Sequence, residues 1–157
     1  MKIKEIPQAK NQIYFWIFFS IYFFFQLLTT IVANYINPDL TSTTIDFDSL
    51  AEEFIIVVVV APILETIIFQ YIVIETLTRF KIMPIICVFI SGILFGMAHW
   101  YNLIYVVVLT IVGFIFAYYY LALRHQNPVN KLVLVTLLHA LSNLIAFFDK
   151  NIVDLTF

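Results

Sequence analysis

The sequence predicts an all-α protein, a polytopic bundle of about five transmembrane helices. Its 157 residues are 63% hydrophobic and 11% charged, where a soluble domain is typically about half apolar and about a quarter charged. The apolar runs are too long for the strands of a soluble core. Each approaches the ~20 residues that cross ~30 Å of hydrocarbon. Seventeen Phe, nine Tyr and only three Gly supply heavy side chains suited to a lipid-facing helix surface.

The spans are expected at Ile13–Tyr35, Phe54–Leu77, Met83–Trp100, Leu103–Leu123 and Val129–Phe148. The first has a longer apolar run than a signal peptide, and no A-x-A site follows it, so it reads as an anchor helix over residues 13–35. Residues 36–53 are rich in Thr, Ser and Asp around Pro38 and read as a polar external loop. Residues 54–148 form a helical core, the whole being one membrane domain over residues 1–157.

Basic residues fix the expected orientation. Lys2, Lys4 and Lys10 precede the first span, Arg79 and Lys81 follow the second, and Arg124 and Lys131 follow the fourth; Lys150 alone lies on the other side. The positive-inside bias then puts the N-terminus inside and the C-terminus outside. With a net charge of −2 and no basic stripe, nucleic acid is excluded as a partner. Cys87, the single cysteine, forms no intramolecular disulfide and reads as packing. Glu75, four residues before Arg79, reads as a helix-end ion pair.

Ionisable side chains inside the spans cost at least ~2.5–3.5 kcal/mol each near mid-bilayer, so each needs a partner, water or a function. Glu65 sits well inside the second span, His99 ends the third, and His139 and Asn143 stand four apart on one face of the fifth. Each alone could satisfy a neighbouring backbone or hydroxyl group. Together they predict convergence, because a lone carboxylate between apolar helices needs a cation, donor or water beside it. A carboxylate with one histidine can deprotonate water, and a second histidine with an amide can donate to an oxyanion. That set suits hydrolysis of an amide. Pro62, three residues before Glu65, removes a backbone donor and is expected to kink the span and admit water.

At these positions the sequence resembles the CAAX-protease and bacteriocin-processing (Abi) membrane family, whose motifs are Glu-Glu-x-x-x-Arg, Phe-x-x-x-His and His-x-x-x-Asn/Asp. The first is read at Glu65, Thr66 and Gln70, the second from Phe95 to His99, the third from His139 to Asn143. The resemblance spans roughly Phe54 to Phe148. It implies an intramembrane peptidase in which Glu65 and His99 activate water while His139 and Asn143 stabilise the oxyanion. It also implies membrane lipid as the surroundings, a peptide or membrane-protein substrate, and a bacterial plasma membrane as the location.

Thr66 and Gln70 depart from the family's second Glu and its Arg. Four residues apart, they are expected to exchange an ion pair for a neutral Thr–Gln hydrogen bond that positions the helix. Three alternatives stay open. Glu65, His99 and His139 could form a two-His-one-carboxylate zinc site with an open water position. The chain could be an inactive relative serving as a membrane scaffold or regulator in immunity or signalling. A proton relay is the third, disfavoured by the lack of an inverted repeat. Counting from Phe54 puts Glu65 ~16 Å below the outer helix end, which favours exported or membrane-embedded peptides as substrates.

Overall fold

The structure, a computed structural model, describes residues 3–36, 46–100 and 102–155. It contains five principal helices: α1 (Asn11–Ile36), α2 (Leu50–Arg79), α3 (Pro84–Met97), α4 (Leu103–Ala122) and α5 (Pro128–Leu155). Among the described residues, the helical stretches containing α1, α2, α4 and α5 are long and apolar enough to cross a membrane. The third expected span is shorter than Met83–Trp100 suggested. The 14 residues of α3 reach about 21 Å, because the chain turns at Ala98–Trp100. Half of the polar loop expected over residues 36–53, residues 37–45, lies outside the described residues, and its last four belong to the first turn of α2, capped by Ser49 accepting from the Glu52 N–H.

Large apolar side chains cover the outer face, among them Phe24, Leu28, Leu64, Phe89 and Val107. On a soluble protein so broad an apolar surface would be a liability. On this chain it is the lipid-facing surface, and the protein is an integral membrane protein. The interior is aromatic, with Phe95, Phe116, Tyr119 and Tyr120 almost fully enclosed. Cys87 is buried among them, as its reading predicts.

The three glycines of the chain all lie in the contact between α3 and α4. A Cβ added to Gly113 of α4 would stand 2.8 Å from the Gly92 Cα of α3, and one added to Gly96 would stand 2.6 Å from the Val106 carbonyl. Backbone therefore rests on backbone here, the close approach that small residues permit between membrane helices.

α2 and α5 run antiparallel and are tied at four levels. Lys150 Nζ meets Glu53 Oε1 at 2.8 Å, Asn143 Nδ2 meets the Val57 carbonyl at 2.8 Å, His139 faces Glu65, and Lys131 Nζ meets Glu75 Oε1 at 2.6 Å. The last contact corrects the reading of Glu75 as a pair with Arg79. Glu75 accepts from Lys131 and from the Tyr120 hydroxyl at 2.7 Å, while Arg79 is exposed. Lys131 falls inside the fifth helix, within the expected span Val129–Phe148. It is buried, with its ammonium 4.8 Å from the centre of the Tyr120 ring.

Ahead of α1, the segment holding Ile3 and Ile6 buries both side chains at the basic end of the bundle. The Ile6 N–H donates to the Ala122 carbonyl at 2.8 Å, and Gln126 Nε2 donates to the Ile6 carbonyl at 3.0 Å. Glu5 pairs with Arg124, whose guanidinium holds the Glu5 carboxyl below its ordinary value.

Candidate active site

The hydrogen-bond register of α2 decides where Glu65 stands. Two stretches, Ile55–Val60 and Thr66–Ile72, are π-helical, and the α-helical Ala61–Glu65 lies between them. Pro62 explains the first. In an α-helix the proline ring presses on the carbonyl four residues back, and widening the turn relieves that clash. The Ala61 N–H accordingly bonds the Ile56 carbonyl, five residues back. The next bond in that register would join residue 62 to the Val57 carbonyl, and proline has no N–H to give. Asn143 supplies the missing donor from α5. The expected kink is thus a change of register, and the carbonyl it frees is taken up by a side chain.

Glu65 lies midway along α2, deeper than the count from Phe54 placed it, because the helix begins at Leu50. Its Oε2 stands 3.6 Å from His139 Nε2, with Glu65 partly exposed and His139 almost fully enclosed. That separation is slightly longer than a direct hydrogen bond. His139 is wedged between two phenyl rings, with centroid distances of 4.8 Å to Phe116 and 5.5 Å to Phe95.

His99 lies in the turn after α3 rather than on the helix. Its ring packs against the same Phe95 at 5.4 Å, so both imidazoles flank one phenyl ring. His99 Nδ1 stands 3.0 Å from the Phe95 carbonyl. A carbonyl only accepts, so Nδ1 carries the hydrogen, and in the neutral ring Nε2 is the acceptor nitrogen. This orientation suits a group that takes a proton from water.

The structure therefore brings Glu65 to within 3.6 Å of His139, packs the His99 ring against the same Phe95 that His139 touches, and engages Asn143 at the Val57 carbonyl one turn along α5. Thr66 and Gln70 are fully buried on the inner side of α2, but the expected hydrogen bond between them is not formed: Thr66 Oγ1 and both amide atoms of Gln70 lack partners. In the π-helical register of this stretch, residues four apart no longer stack as they do on an α-helix. Among the described residues no three His, Cys, Asp or Glu side chains gather in a group that could hold a metal ion.

Sequence reasoning missed the roles of Phe95 and Phe116 as the walls of the His139 pocket. Phe95 was visible as the first residue of Phe-x-x-x-His. Phe116 carries no local signal, because its contact with His139 crosses from α4 to α5 and depends on how those two helices pack.

Comparison with protein families matches residues 48–145 to the Rce1-like family, described as type II CAAX prenyl endopeptidase Rce1-like. The chain belongs to this family. The match takes in all four polar motif positions, from Glu65 to Asn143, and agrees with the resemblance read from their spacing. An Rce1-like chain is a member of a protease family embedded in the membrane. No curated protein and no solved structure matches it.

Proposed function

We propose that this Rce1-like protein is an intramembrane endopeptidase that hydrolyses a peptide bond of a membrane-associated or exported peptide, using Glu65 and His99 to activate water. The observation that carries the reading is the Glu65 carboxylate 3.6 Å from His139 Nε2 at mid-helix depth, on a helix whose register is π on either side. π-helical turns are costly and recur at functional sites.

In this mechanism a water between Glu65 and His99 gives a proton to the Glu65 carboxylate as its oxygen bonds to the substrate carbonyl carbon. His139 and the remaining N–H of Asn143 donate to the oxyanion. Collapse of the tetrahedral species breaks the C–N bond, and the protonated Glu65 returns the proton to the leaving amine. No metal enters the scheme. The protein sits in a bacterial plasma membrane with its basic end in the cytoplasm.

The deciding experiment incubates purified protein in lipid with a panel of membrane peptides, beside Glu65→Gln. Cleavage by wild type, insensitive to a chelator and absent in the variant, supports the mechanism. Undiminished cleavage by Glu65→Gln sinks it. A second reading, an inactive relative serving as a scaffold, is favoured by the loss of the family's Glu and Arg at Thr66 and Gln70. It is supported if neither protein cleaves any peptide.

A further inference from the structure

Three enclosed polar groups have no protein partner in the stretch beside the proposed catalytic pair: Thr66 Oγ1, the Gln70 amide at both its atoms, and His139 Nδ1. A buried polar group left unpaired costs roughly 1–3 kcal/mol, and a cluster of them is rare in native proteins. Apolar packing cannot offset that. Buried water characteristically resolves such clusters, making about three hydrogen bonds to groups that lack other partners.

Placement supports a shared site. Thr66 follows Glu65, whose carboxylate faces His139, and Gln70, one turn on, is also fully enclosed. Gln70 lies about 7 Å along the helix from Glu65. The α2–α5 contacts Glu65–His139 and Glu75–Lys131 bound this layer above and below. The remaining orphan, the Tyr119 hydroxyl, belongs to a ring stacked on Phe18 of α1 at 4.5 Å and is left out of the site.

We propose that Thr66 and Gln70 hold buried water in this layer, and that this water donates to His139 Nδ1 and keeps the ring in its Nε2–H tautomer. A carboxylate opposite Nε2 favours a hydrogen on that nitrogen, which leaves Nδ1 as an acceptor in need of a donor. Thr66 and Gln70 are thereby positioning residues. They act on His139 through water where family members carry a charged pair. The consequence for turnover rests on the peptidase reading, because only an Nε2–H ring can donate to the oxyanion. The water site itself does not.

The test is solid-state NMR of the protein in lipid bilayers with nitrogen-15 histidine, the His139 signals being identified by their loss in His139→Gln. In wild type we expect Nε2 protonated, Nδ1 bare, and magnetisation passing from water to the His139 ring. Thr66→Val with Gln70→Leu should abolish that transfer and populate the Nδ1–H tautomer. Thr66→Ser should retain both features, and it serves as the reporter if the apolar pair fails to insert. Where peptide cleavage is measurable, the double variant should lose roughly 10–100-fold in kcat with KM little changed, the range typical of losing a histidine-orienting partner.

A protonated Nδ1 in wild type, or water transfer that persists in the double variant, overturns the proposal. Wild-type protein that cleaves nothing yet gives the expected spectra overturns only the peptidase reading.

Discussion

The Asn143 side-chain amide donates to the backbone carbonyl of Val57 at 2.8 Å, across the α2–α5 interface. That carbonyl is the one the π register would assign to the nitrogen of Pro62. The proline that widens α2 and the asparagine of the third motif are therefore two parts of one arrangement. The same amide that the proposed mechanism uses as an oxyanion donor also repairs the helix that carries Glu65.

Because of this coupling, Asn143→Leu should lower stability as well as activity. The carbonyl left without a donor is expected to cost about 1–2 kcal/mol, within the range for interhelical hydrogen bonds in membranes and lone buried acceptors. Pro62→Ala restores an N–H at position 62, and the double variant should recover most of that loss without recovering turnover. Unfolding in graded denaturing detergent, read with peptide cleavage, separates the two effects. A double variant as unstable as Asn143→Leu alone would disconnect Pro62 from Asn143.

Glycine spacing gives the next expectation. At Gly113 an added Cβ meets the Gly92 Cα at 2.8 Å and the Gly92 carbonyl oxygen at 2.9 Å, and neither can move without shifting a whole helix. Gly113→Ala should therefore part α3 from α4 and destabilise by about 1–3 kcal/mol, the usual cost of overpacking. His99 follows α3, so the turn bearing it should shift as well and cleavage should fall. An unaltered melting temperature would show that the interface has more room than its backbone contacts allow.

Much of this was legible in the sequence. The long apolar runs announced the helices, and the carboxylate, two imidazoles and amide were conspicuous because lipid tolerates none of them without a reason. What stayed hidden depended on contacts between distant residues. Glu75 had a local partner four residues away in Arg79, yet the structure gives it Lys131, 56 residues on, because a helix packed alongside offers a desolvated partner and an exposed arginine does not. The Thr66–Gln70 hydrogen bond failed for a different reason: it assumed α-helical spacing in a stretch that is π-helical. The close packing of Gly92 on Gly113 showed itself only once α3 and α4 were side by side.

Orientation can be checked directly. Asp48 is exposed just before α2, at the end opposite Arg79 and Arg124, and the basic bias puts that end outside. Asp48→Cys should react with a membrane-impermeant maleimide in intact cells, against a background kept low by the enclosed Cys87. Reaction only after permeabilisation would invert the topology and bring the Asn143 end of the bundle to the cytoplasm.

The Glu75–Tyr120–Lys131 cluster makes a prediction whose sign depends on how many partners are removed. Lys131 is almost fully enclosed and donates to a carboxylate about one-third exposed, which also accepts from Tyr120. Removing one member of a fully buried pair typically costs about 3–5 kcal/mol, because the other is left charged without compensation. Glu75 keeps some exposure, so Lys131→Met should fall at or below the low end of that range. Glu75→Gln is the harsher change, since it strands an ammonium with little access to solvent. Joining Lys131→Met to Glu75→Gln removes both charges and should restore most of the stability, the Tyr120 hydroxyl donating to the amide oxygen introduced at position 75 in place of the carboxylate. A double-mutant cycle in detergent denaturation gives the coupling between the two positions. Additive losses would mean that solvent screens the pair and that the ladder joining α2 to α5 holds at its other three levels without it.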